Sequence, residues 1–235
     1  MECLYVPDFD SHSTLVTIDG DAFKHLRALR CNSGEHILLS NGKGIRARGV
    51  VSSISRDAAH IAIKEIQCRP DELPCHVTVA VGILSSDDRI EWLVEKCTEL
   101  GVHRIIPLQL DRCQRHQLRR PDRLEKKAIA ALEQSQRSTL PEISQPITLE
   151  TLLRSTRGTV IACDPRGSVP NRVAHECTIV VGPEGGFSEH EETLLAQYSC
   201  VRWSLGPHRL RTETAALSAT AIAIMLSGVA AEGAY

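Results

Sequence analysis

Aromatic residues are scarce in this 235-residue chain: Trp, Tyr and Phe together make up 3%. That is too few for an RNA-binding sheet that works by stacking bases on Phe and Tyr. Cysteine is plentiful, but Cys3, Cys31, Cys68, Cys75, Cys97, Cys113, Cys163, Cys177 and Cys200 contain no Cys-x-x-Cys pair. The zinc-ribbon and zinc-finger spacings are thereby excluded and no metal site is expected. An odd, scattered set of thiols predicts free cysteines in a reducing compartment, hence a cytoplasmic protein. The apolar run that a membrane span needs, roughly 20 residues, is missing. The nearest candidate, residues 215–231, is interrupted by Ser218, Thr220, Ser227 and Gly228 and reads as a buried helix. Met1 to Asp10 carries three acidic residues and no apolar core, so no signal peptide is expected there. Neither G-x-G-x-x-G after a strand nor G-x-x-x-x-G-K-[ST] occurs, which excludes the dinucleotide fingerprint and the P-loop. A net charge of -2 argues against a wholesale polyanion binder and leaves only local basic patches.

Hydrophobic residues make up 42% of the chain, enough to pack one large or two modest domains. Up to about residue 70 short apolar runs alternate with turn signals: His36 to Ser40, then Asn41-Gly42-Lys43-Gly44, then Gly49 to Ile54 and His60 to Ile63. Asn-Gly between such runs predicts a hairpin and a small β-rich unit. Arg69-Pro70-Asp71-Glu72-Leu73-Pro74 is polar and has two prolines, which predicts a linker and a boundary near residue 72. The expected domains are 1–72 and 73–235.

Beyond that boundary strands alternate with helices, the pattern of a mostly parallel α/β sheet. Strands are expected at Val77 to Ile83, Arg104 to Leu108 and Thr159 to Cys163. Apolar positions Ile90, Leu93, Val94, Cys97 and Leu100 predict a helix capped by Asp87 or Asp88 and ended by Gly101. Pro121 suits the first turn of another helix, through Leu124, Ala128 and Leu132.

Two loops close the series, each joining a short apolar strand to a helix: Val181-Gly182-Pro183-Glu184-Gly185-Gly186-Phe187-Ser188 and Leu205-Gly206-Pro207-His208-Arg209-Leu210-Arg211-Thr212. Gly182, Gly185, Gly186 and Gly206 permit close backbone approach, and ligand sites in α/β proteins form at the carboxyl ends of strands. Ser188 and Glu191 form a capping box that starts one helix, and Thr212 can cap the next. A single such loop is as often a plain connection as a site, but two of them, the second carrying Arg209, Arg211 and Glu213, favour a pocket. Between Arg104 and Lys127 eight basic residues face three acids, a patch suited to a phosphate backbone or, alternatively, a solvated face. Arg112 and Arg115 lie within it; Arg27, Arg30 and Lys43 add positive charge to the N-terminal unit.

Glu95 to Val102, Asp111-Arg112-Cys113, Glu133-Gln134-Ser135-Gln136-Arg137 with Pro141, Val181 to Ser188, and Leu205 to Ala215 resemble, in order, the signatures of the RsmE family of SPOUT methyltransferases. Ala22 to Arg30, Gly34 and Asn41 to Gly44 resemble that family's PUA-like RNA-binding domain. The resemblance implies a C-terminal trefoil-knotted, mostly parallel sheet with helices on both faces, a small N-terminal PUA-like β-barrel, and an obligate homodimer. It implies S-adenosylmethionine as cofactor and methylation of N3 of a uridine in 16S ribosomal RNA of the small subunit, with no membrane partner. The cofactor is then expected on Val181, Gly182, Gly185, Gly186, Leu205, Gly206, Leu210, Arg211 and Thr212. Arg112 and Arg211 are the expected contacts to the uracil oxygens or a neighbouring phosphate, and Glu184 and Glu213 the candidate bases, Glu213 equally a first-turn residue of its helix. Arg27, Arg30, Lys43, Arg112 and Arg115 are expected to bind RNA. Two alternatives remain: a SPOUT relative acting on a ribose 2′-hydroxyl or another base, and a non-catalytic ribosome-assembly factor.

Overall fold

In the computed structural model, which describes residues 1–227, the alternating apolar runs before residue 70 become a five-stranded sheet. Its strands are β1 (Cys3–Tyr5), β2 (Leu15–Ile18), β3 (His36–Ser40), β4 (Ile45–Ile54) and β5 (Ala59–Cys68), in the order β1-β3-β4-β5-β2, accompanied by helix α1 (Gly20–Ala28). β3 and β4 form the predicted antiparallel hairpin. Its turn is held from inside: buried Asn41 accepts the backbone N–H groups of Lys43 and Ile45 on Oδ1 and donates from Nδ2 to the Phe9 carbonyl. Leu4, Phe23, Leu26, Ile37, Leu39 and Ile61 pack the core.

Contacts divide the chain into Met1–Glu72 with Ile129–Leu140, and the remainder from Leu73. The first unit is therefore not one continuous stretch. Glu133 Oε1 accepts the Tyr5 N–H at 2.9 Å. The Glu72 carboxylate pairs with Arg137 and accepts the backbone N–H groups of Ser138 and Thr139. Burial pushes the Glu72 carboxyl up, yet these bonds outweigh it and leave it below its ordinary value. The stretch read as a linker thus contains a buried, locked side chain.

The second unit runs β6 (His76–Gly82), α2 (Asp87–Glu99), β7 (Arg104–Gln109), α3 (Pro121–Ser135), β8 (Glu142–Ile143), β9 (Ile147–Thr148), α4 (Leu149–Ser155), β10 (Thr159–Ser168), β11 (Glu176–Val181), α5 (Glu189–Gln197), β12 (Val201–Trp203) and α6 (Thr212–Leu226); the last residues of α3 count with the first unit. The sheet order is β12-β10-β11-β6-β7-β8, with β9 also on β7, and every pair is parallel. Strand alternation distributes the helices over both faces. Ala80, Ile106, Leu108, Ala162 and Val180 pack with Leu149, Leu152 and Leu153 of α4 and Leu195 of α5, while α6 packs on β6, β11 and α2.

Two helix starts, those of α2 and α6, differ from expectation by a residue or two. The N-cap of α2 is Ser86, with Asp87 and Asp88 inside the first turn, where they favour the positive end of the helix dipole. Arg211, not Thr212, is the N-cap of α6. That helix was expected to reach Ala231, which lies outside the described residues. Among these, no helix is long and apolar enough to cross a membrane. All nine cysteines are free.

Candidate active site

The middle of β10, the carboxyl ends of β11 and β12 and the loops that follow β11 and β12 enclose a cleft of about 980 Å³. Cys163, Asp164 and Arg166 contribute from β10, Val181 to Phe187 without Gly185 from the first loop, and Leu205 to Thr212 from the second. Arg112, from the loop after β7, completes it. Gly186 (φ +72°) and Gly206 (φ +124°) stand in the left-handed region with no heavy atom within 4 Å of where a Cβ would lie, so both leave bare backbone facing open space.

The first loop is fastened at its far end by the predicted capping box. Ser188 Oγ accepts the Glu191 N–H, and Glu191 Oε2 accepts the Ser188 N–H at 2.8 Å. Buried Glu191 uses its other oxygen for the Asp111 N–H, and Ser188 Oγ donates to Asp111 Oδ2. This ties the Asp111-Arg112-Cys113 turn to the start of α5 and so aims Arg112. Its Nη1 donates to the Gly185 carbonyl at 2.9 Å, and a Cβ on Gly185 would stand 3.1 Å from Arg112 Cβ. Gly185 is a seat for the Arg112 stem and forms no part of the cleft lining.

The two loops are joined to each other as well. The Thr212 hydroxyl donates to the Gly182 carbonyl at 3.2 Å, and Arg209 Nη2 to the Glu184 carbonyl at 2.9 Å. Arg89 of α2 pairs with both Glu184 and Glu213. Burial pushes the Glu213 carboxyl up, but the hydrogen bonds from Arg89 prevail and hold it below its ordinary value. At the β10 end Asp164 is buried and clasped by Arg166 and Arg202; the Arg166 hydrogen bonds are the main cause that brings its carboxyl down to about 2. Burial drives the Cys163 thiol up to about 12, so it stays protonated and is no nucleophile near neutral pH.

Of the residues expected at the cofactor, Val181, Gly182, Gly186, Leu205, Gly206, Leu210, Arg211 and Thr212 line one cleft. Arg112, Arg211 and Glu184 share it, whereas Glu213 is buried in the first turn of α6 outside the lining. Arg115 turns inward: Nε donates to the Leu84 carbonyl at 2.6 Å and the guanidinium pairs with Asp87, leaving it 13% exposed and committed to the fold. Arg27, Arg30 and Lys43 are exposed residues of the first unit. The Glu133 to Arg137 string also belongs to that unit and takes no part in the cleft. Arg89 and Asp164 carried no functional signal in the sequence, although Asp164 stands just past an expected strand end.

A profile of the RNA methyltransferase domain family matches residues 71–224, and one of the RNA methyltransferase PUA domain matches residues 18–64. Ribosomal RNA small subunit methyltransferase E of Bacillus subtilis is 30% identical over 230 residues, covering 86% of this chain and 87% of its own. The chain belongs to the RsmE family. The RsmE of Rickettsia conorii is 32% identical over 202 residues, 82% of each chain. The solved RsmE of Neisseria gonorrhoeae, bound to S-adenosylmethionine, superposes with a TM-score of 0.86 at 30% identity over 94% of this chain and 95% of its own. A Legionella pneumophila protein solved with the same cofactor gives 0.83 at 27% identity over 97% of each chain.

Proposed function

We propose that this RsmE protein transfers the methyl group of S-adenosylmethionine to N3 of a uridine in 16S ribosomal RNA, acting on the small ribosomal subunit as a cytoplasmic homodimer whose methyltransferase sheet is knotted. The observation that carries this reading is the cleft itself: two glycine loops with open backbone, and arginines on its walls, Arg112 and Arg211 among them.

The residues present fit the cofactor. Bare backbone at Gly186 and Gly206 admits a ligand closely, and Val181, Phe187, Leu205 and Leu210 give it apolar walls. When bound, S-adenosylmethionine supplies an electrophilic methyl on a sulfonium. The rest falls to the protein. Uracil N3 becomes nucleophilic only on losing its imide proton, which leaves negative charge shared with O2 and O4. Arg112 and Arg211 meet that anion with rigid cationic donor forks. Of the carboxylates on the lining, Asp164, Glu184, Glu189 and Glu192, Glu184 stands on the glycine loop itself and takes the proton. Glu213, buried and held ionised by Arg89, acts on position and not on the proton. The exposed Arg27, Arg30 and Lys43 supply cationic contacts to the RNA backbone.

The test is incubation of small subunits lacking the modification with the protein and S-adenosylmethionine, followed by nucleoside mass spectrometry. The expected product is 3-methyluridine. A 2′-O-methylated nucleoside would reassign the reaction, and no product despite cofactor binding would favour an assembly factor. Arg112→Ala is expected to lower kcat by about 100-fold or more, the scale of losing one preorganised charge donor; unchanged turnover would remove Arg112 from the chemistry.

A further inference from the structure

We propose that Arg89 is a positioning residue that pins both cleft loops at once and so sets the spacing at which the cofactor is gripped. The inference rests on the proposed methyltransferase reading. Arg89 sits in the first turn of α2, outside both loops and outside the cleft lining. All three of its guanidinium nitrogens are engaged: Nε donates to Glu213 Oε1 at 3.0 Å, Nη2 to Glu213 Oε2 and Nη1 to Glu184 Oε1. Glu184 belongs to the loop after β11, and Glu213 lies in the first turn of the helix that the loop after β12 leads into. One planar fork therefore fixes two loops that are otherwise joined by the bonds of Thr212 and Arg209.

The demand is for arginine in particular. A lysine ammonium is a point charge on a flexible stem and cannot hold one carboxylate with two parallel bonds while reaching a second. Loss of the guanidinium would leave two carboxylates without their cation, one of them buried, and their repulsion would act to spread the loops. Cofactor binding should suffer first, because a grip made of backbone groups on opposite walls depends on their separation.

Calorimetry with S-adenosylmethionine and the full chain tests this. Arg89→Gln is expected to weaken cofactor binding at least tenfold and raise KM for the cofactor more than it lowers kcat, with RNA affinity unchanged. Arg89→Lys should recover only part of the loss. In the Arg89→Gln/Glu213→Gln double variant the two losses should be clearly less than additive, as for groups acting as one unit. Cofactor affinity of Arg89→Gln within twofold of wild type would overturn the proposal, as would equal losses in cofactor and RNA affinity. Should Arg89→Gln fail to fold, Glu184→Gln carries the test, since it keeps the Arg89 pair with Glu213. It is expected to bind the cofactor about threefold more weakly in the wild-type background and no more weakly in an Arg89→Lys background; equal losses in both backgrounds would overturn the proposal. Failure of the wild-type chain itself to bind S-adenosylmethionine would instead overturn the methyltransferase reading.

Discussion

Asp164 gathers four hydrogen bonds from two arginines: the backbone N–H, Nε and Nη2 of Arg166 and Nη1 of Arg202. Those bonds lower its carboxyl from 3.8 to about 2. A group whose pKa falls on folding stabilises the native state above its unfolded pKa and loses that contribution as pH drops through the folded value. The contribution is about 2 kcal/mol at neutral pH and fades between about pH 4 and 2. Asp164→Asn is therefore expected to be less stable than wild type by about that amount in urea denaturation at pH 7, with the gap closing near pH 2. Gly185 supports a different prediction. Because its missing Cβ makes room for Arg112, Gly185→Ala should lower kcat while leaving cofactor affinity unchanged in calorimetry. The loop glycines, Arg112 and Arg211 were legible in the sequence because strand-to-helix loops announce themselves. Arg89 was not, since its partners lie 95 and 124 residues away, and an arginine in the first turn of a helix carries no local mark.

At the scale of elements, local chemistry decided legibility. The start of α5 was readable to the residue because Ser188 and Glu191 carry the cap within four positions. Ser188→Ala should cost about 1 kcal/mol for the cap, and it also releases Asp111. The expected outcome is a lower melting temperature together with reduced kcat, since the Asp111 turn aims Arg112. The start of α6 was displaced by one residue because the Thr212 hydroxyl, free to cap in a local reading, is drawn to the Gly182 carbonyl on another strand's loop. β8 and β9, two residues each, exist only through their pairing with β7 and have no periodicity to read.

At the scale of the whole molecule, the boundary near residue 72 was visible in its prolines and polar residues, but the return of residues 129–140 to the first unit was not. That return depends on the Glu72 carboxylate meeting Arg137, Ser138 and Thr139, an encounter between residues 65 to 67 positions apart. Cutting the chain at the apparent boundary therefore strands buried groups. A truncated chain of residues 73–235 exposes Arg137 and Ser138, both buried in the intact protein. It is expected to melt lower than the full chain and to lose solubility, as followed by thermal denaturation and sedimentation.

The same segment has a consequence for synthesis. Domains ordinarily fold in order as the nascent chain leaves the ribosome, N-terminal first. Here the N-terminal unit cannot close when its own 72 residues have emerged, because the piece that satisfies Glu72 is translated only as far along as Leu140. By then β6, α2 and β7 are already outside, so the first unit can close only after the opening strands of the second have emerged.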